Sequence, residues 1–127
     1  MKSLSTLTAL AALLGCTLAL DAAAATIRVQ CEARPGRAKI SVDAKSLAAG
    51  RYSTSVMSGS NIATFPATAA VGGEIETDYD SNPRDINDGA IAIAPNFITG
   101  GQVTGKVLDA AGNTVISDTV TCRIRRR

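Results

Sequence analysis

The stretch TIRVQCEARPGRAKISVDA, residues 26–44, decides the fold. Ile27, Val29, Cys31 and Ala33 alternate with Arg28, Gln30 and Glu32, which is the two-residue period of a strand with one face buried and the other in water. Pro35-Gly36 marks a turn, and Ala38, Ile40, Val42 and Ala44 resume the alternation. Downstream, Gly50-Arg51-Tyr52 opens a third run with Tyr52, Thr54 and Val56 facing inward. Further strand candidates are residues 61–65, 74–80, 90–94, 102–109 and 114–124, and Pro66 places the first of these at a sheet edge because proline cannot donate to a ladder. Asp109-Ala110-Ala111-Gly112 has Asp and Gly where a type I turn prefers them, so a C-terminal hairpin is expected. Eight short segments without a helical period after residue 25 predict an all-β antiparallel sandwich or small barrel.

Residues 1–25 are built differently. They read MKSLSTLTALAALLGCTLALDAAAA, with Lys2 near the start, an apolar Leu/Ala run and small residues before the end. This is the layout of a secretory signal peptide, with cleavage expected after Ala25. Seven of the nine leucines of the chain fall in this segment, while the remainder relies on Ile and Val. The apolar stretch is short for a membrane span, and no second one follows it, so no transmembrane segment is expected in the mature chain. A second reading of this segment stays open. Leu13-Leu14-Gly15-Cys16 resembles the lipobox of bacterial lipoproteins, which implies cleavage before Cys16 and a lipid anchor on it. Leu14 and the apolar residues after Cys16 depart from that pattern.

At 127 residues the chain allows one small domain, residues 26–127. It has no His and no Trp and is only 3% aromatic, which removes histidine-based catalysis, the commonest metal ligand and most stacking platforms. The formal charge of +2 does not announce a nucleic-acid binder, and 46% hydrophobic residues argue against disorder. After export, Cys31 and Cys122 remain, and a disulfide between them is expected. It would close a loop of about 90 residues, for which chain entropy sets an upper estimate of about 4–5 kcal/mol.

Leu47-Ala48-Ala49-Gly50-Arg51-Tyr52 resembles the Leu-x-x-Gly-x-Tyr corner of immunoglobulin-like and prealbumin-like bacterial domains. With the signal peptide and terminal cysteines, the chain resembles small exported immunoglobulin-like proteins of bacteria, many without an assigned activity. The resemblance implies an immunoglobulin-like sandwich of about seven or eight strands and no catalytic residues. The chain departs from antibody-type domains in lacking a Trp and in carrying its cysteines on terminal strands.

Two charge clusters remain. Between Glu74 and Asp88 stand six acids and one base, Arg84. Glu74, Glu76, Asp78 and Asp80 occupy every second position, which puts them on one strand face opposite Ile75, Thr77 and Tyr79. Such a row serves as a solvated outer face or protects a sheet edge. It also suggests calcium, because Asp78, Asp80, Asn82, Asp85 and Asp88 form the oxygen-rich set a hard cation takes. Pro83 and Gly89 depart from the EF-hand pattern. Acid–base catalysis by these carboxylates is not expected from so small and aromatic-poor a domain.

The second cluster is basic. Arg123, Arg125, Arg126 and Arg127 end the chain, and a Cys31–Cys122 bridge would bring Arg28, Arg34, Arg37 and Lys39 near them. These side chains suit an anionic lipid head group, a polysaccharide or an acidic protein. The sequence therefore predicts a periplasmic or secreted, non-catalytic module that binds a protein or cell-envelope partner through charged faces. It predicts no nucleic-acid partner. The alternatives are a calcium-dependent structural or adhesive module and a lipid-anchored envelope protein.

Overall fold

A computed structural model describes residues 24–126. Residues 1–23, which hold Cys16 and almost all of the expected signal peptide, and Arg127 lie outside the described residues.

The alternating runs become paired strands: β1 (Thr26–Arg34), β2 (Arg37–Lys45), β3 (Arg51–Ser58), β4 (Asn61–Ala69), β5 (Ile75–Asp80), β6 (Ile91–Ala92), β7 (Gln102–Asp109), β8 (Thr114–Thr121) and β9 (Arg123–Ile124). They form an all-β sandwich of two sheets. The first has the order β6-β5-β2-β1-β9 and the second β4-β3-β7-β8. The second sheet is antiparallel throughout. In the first, β1 pairs with β2 and β2 with β5 in antiparallel register, whereas the short outer strands β9 and β6 run parallel to β1 and β5.

The two inner faces meet in one core that includes Val29, Ile40, Val42, Val56, Tyr79, Val103 and Val107. Gly105 on β7 faces Val29 and Val42 of the first sheet at close range. A Cβ there would lie 2.6 Å from a Val29 methyl and 3.3 Å from a Val42 methyl, so the absence of a side chain permits the spacing. Inside the core the Thr54 and Tyr79 hydroxyls share a 2.6 Å hydrogen bond. Burial raises the Tyr79 pKa, and that bond and the Phe65 backbone oppose the rise only in part.

The corner at residues 47–52 forms as its residues imply. Leu47 is buried, its N–H donates to Gly73 O at 2.9 Å, and the Tyr52 hydroxyl donates back to Ala48 O at 2.7 Å. The Asp109 turn also forms, with its carboxylate accepting from the Ala111 and Asn113 amides.

Four sequence expectations need adjustment. A helix, α1 (Pro83–Asn87), follows β5, because Asn82 accepts from the Arg84 amide and Pro83 supplies a preset first-turn φ. The run at residues 90–94 keeps only the two residues of β6. β4 continues past Pro66 to Ala69, with a register shift opposite Ser53 that absorbs the proline at the outer edge of its sheet. The run at residues 114–124 breaks at Cys122 and changes sheets. The Cys31–Cys122 disulfide, with a Cα–Cα distance of 4.7 Å, draws the chain from β8 to the side of β1, where Arg125 N donates to Ala33 O.

Candidate functional site

Sequence alternation places charge on the first sheet, and the topology then sets the acids of β5 and the arginines of β9 on opposite sides of inner strands whose charges face each other with opposite sign, as Arg28 faces Asp43 and Glu32 faces Lys39. β5 lies toward one side and carries Glu76 and Asp78 on its solvent face, with Glu74 just before it; all three are exposed. On the neighbouring β2, Asp43 stands directly opposite Glu76, and like charges in that position are destabilising. Among the described residues, Glu74 has a single long ion pair, to Lys45 at 3.8 Å. Asp43, Glu76 and Asp78 have none within 4 Å.

Asp80 ends the same row but is not solvated. Its side chain is buried, and Arg37 from β2 holds it through Nε at 3.2 Å and Nη2 at 3.0 Å. The same Nη2 donates to Asp85 at 2.7 Å. Burial opposes ionisation of Asp80, but the Arg37 hydrogen bonds and the Asn82 amide outweigh it and hold the carboxyl below its ordinary range. The hydrogen bond to Asp80 in turn raises the Arg37 pKa. Arg37 thus belongs to the acidic side, where it ties β2 and the end of β5 to α1, and not to the basic cluster in which the sequence reading grouped it.

The five calcium candidates are distributed as follows. Asp78 is exposed on β5. Asp80 and Asp85 share Arg37, whose guanidinium takes the place between two carboxylates that a cation would take. Asn82 caps α1, and Asp88 closes its C-terminal end. Among the described residues no three His, Cys, Asp or Glu side chains group closely enough to hold a metal ion.

The opposite edge of the first sheet is basic. Arg123 pairs with Glu32 across β9 and β1, and Arg125 follows it on the same face. Glu32 is the acid within reach: Arg125 Nε lies at 3.4 Å and Arg34 Nη2 at 3.6 Å. Arg28, Arg123 and Arg126 are exposed and have no ion pair among the described residues. Lys39 lies mid-sheet between the two edges and lines a groove on either side of itself.

Grooves accompany both edges. On the basic side a groove of 460 Å³ has an apolar lining from Ala33, Pro35, Pro95, Ile98 and Ile124, rimmed by Arg34, Arg125 and Arg126. On the acidic side two grooves of 280 and 400 Å³ meet at Phe65 of β4 and Glu76 of β5. Neither Phe65 nor Ile124 was a sequence candidate, since an apolar residue in a strand reads as core. Only the fold leaves Ile124 62% exposed and Phe65 half-buried beside the acidic row.

Among the described residues no helix is long and apolar enough to cross a membrane. Compared with known proteins, the chain matches no family model, and no curated protein or solved structure matches it.

Proposed function

We propose that this is an exported, non-catalytic β-sandwich module, in the manner of the immunoglobulin-like bacterial proteins it resembles, that docks a protein or cell-envelope partner through the charged edges of its first sheet. One observation carries this reading. Acids gather on and just before β5 (Glu74, Glu76, Asp78) and arginines on and just after β9 (Arg123, Arg125, Arg126), with few partners for either within the fold, while between them Asp43 of β2 and Arg28 of β1 stand directly opposite each other. Charge left unpaired and sorted by sign adds little to stability, and it steers and orients an encounter.

The test is fractionation of cells that export the protein, in about 20 mM and about 0.5 M salt, where the screening length is ~20 Å and ~4 Å. Wild type is expected to travel with the envelope or in a larger complex at low salt and to be released at high salt. The variant R123E/R125E/R126E is expected to be free in both, and S117E, on the second sheet, to behave as wild type. A wild-type protein that is free at both salt concentrations overturns the reading.

A further inference from the structure

The two charged edges also match each other. Resting on the docking function proposed above, we propose that the partner is a second copy of this chain, taken head to tail, with β9 of one copy adding in parallel to residues 75–78 of β5 in the next.

The backbone carries the first half of the argument. β6 covers β5 only at Tyr79 and Asp80. Asp80 O points outward, since it accepts from Ile93 N, and alternation turns the N–H and C=O of Glu76 and Asp78 the same way. Three of these groups, the N–H and C=O of Glu76 and the N–H of Asp78, face an edge that no strand of the described residues occupies, whereas Asp78 O is taken up by the parallel pairing of Ile91 beside Tyr79. At the far side of the sheet, Arg125 N faces β1 through its bond to Ala33 O, so the N–H and C=O of Ile124 point away from the sheet. In a parallel pair one residue bonds to two residues flanking its opposite number. Ile124 set beside Thr77 would therefore donate to Glu76 O and accept from Asp78 N.

Direction and face agree with this register. β5 runs antiparallel to β2, β2 antiparallel to β1, and β9 parallel to β1, so β9 and β5 point the same way. A neighbour in the same orientation thus presents β9 for parallel pairing without turning the sandwich over. Arg123 shares the outer face with Glu32, as Glu76 and Asp78 do with Asp43 and Ser41. The register consequently places Arg123 beside Glu76; because β6 takes up the edge from Asp78 O onward, the incoming chain leaves the ladder after Ile124 and Arg125 reaches Asp78 through its side chain. Ile124 falls on the inner face with Ala33, toward Phe65 of the next copy. Two unpaired acids meet two arginines, and an exposed apolar side chain meets a half-covered one. The interface is heterologous, so every assembly ends with one free acidic edge and one free basic edge and is open-ended.

Sedimentation velocity on the purified, oxidised protein tests this between about 20 µM and about 1 mM, at about 20 mM salt, where screening is weak. The expected result is a weight-average sedimentation coefficient that rises past that of a dimer with concentration and returns to the monomer value in about 0.5 M salt. E76R/D78R and R123E/R125E are each expected to remain monomeric and to unfold in a single cooperative transition, the first slightly stabilised by relief of the Asp43–Glu76 repulsion and the second slightly destabilised by loss of the Arg125–Glu32 pair. Their equimolar mixture is expected to associate again, because each supplies the edge the other lacks. A wild type that stays monomeric throughout, a mass that stops at a dimer, or a mixture that fails to associate overturns the proposal. A monomeric wild type that still shows salt-released retention in cells removes the self-association and leaves the docking function standing; loss of both removes the docking function as well.

Discussion

Replacing Gly105 by Ala puts a methyl group into a place between the two sheets that has no room for it. Its carbon would lie 2.6 Å from Val29 Cγ2, 3.2 Å from Val29 Cγ1 and 3.3 Å from Val42 Cγ2, against 3.4 Å for the start of ordinary contact. Val29 is buried and β-branched, so it has little rotameric freedom with which to withdraw. Overpacking of this kind costs about 1–3 kcal/mol, while exchanging a strand glycine for alanine returns only about 0.5–1 kcal/mol. The clash wins. Net destabilisation of about 0.5–2 kcal/mol is expected, and each kcal/mol lowers the melting temperature of a domain this size by roughly 4–8 °C. Urea unfolding of Gly105→Ala, Val29→Ala and the double variant measures it. Because Val29→Ala removes the two methyls that collide, the double variant should be more stable than the sum of the singles implies by about 1 kcal/mol or more. Additivity within about 0.5 kcal/mol, or a stabilised Gly105→Ala protein, would refute the close approach as the reason for glycine.

Removing the disulfide as C31A/C122A releases a loop spanning 91 positions and should cost about 4–5 kcal/mol in denaturant unfolding, an upper estimate from chain entropy. Arg37→Met leaves Asp80 buried without its cation and should cost about 2–4 kcal/mol, somewhat less than a fully buried pair, because Arg37 remains 23% exposed. Asp80 has a depressed pKa, so in the wild type its contribution is complete above the unfolded value of about 4 and is lost as pH falls toward the folded one. In Arg37→Met that slope should flatten or reverse, which unfolding curves between about pH 2 and 6 will show. Tyr52→Phe removes the donor to Ala48 O and should cost about 0.5–1.5 kcal/mol by thermal or urea unfolding. Millimolar calcium against chelator should leave the melting temperature unchanged, since Arg37 already engages Asp80 and Asp85; a site at a hundredfold its dissociation constant would add about 2.7 kcal/mol and would be plain in the same scan.

Much of the first sheet was legible because its signal is local. Alternation over residues 26–44 requires only that one face be buried, and both strands appear with Val29, Cys31, Ile40 and Val42 inside. The corner at Tyr52 and the turn at Asp109 are equally local, since their hydrogen bonds close within four residues. The helix cap at Asn82-Pro83 was present too, but five helical residues are too few to show a period. Asp80 misled for the opposite reason. Its alternation with Tyr79 is correct, yet its burial depends on Arg37, which is 43 positions away in the chain.

The sequence by itself determined most of the strands and the turns, because period and turn chemistry constrain these within short stretches; with three cysteines in the chain, it pointed to Cys31 and Cys122 as a pair only on the expectation that Cys16 leaves with a signal peptide. Only the tertiary structure decided which strand lies at which edge. β5 and β9 are separated by more than forty residues in the chain and by β2 and β1 in space. That placement sets the acids of β5 apart from the arginines of β9, leaves the backbone of Glu76 and the N–H of Asp78 open and exposes Ile124, and it follows from sheet order, which no local pattern of side chains encodes.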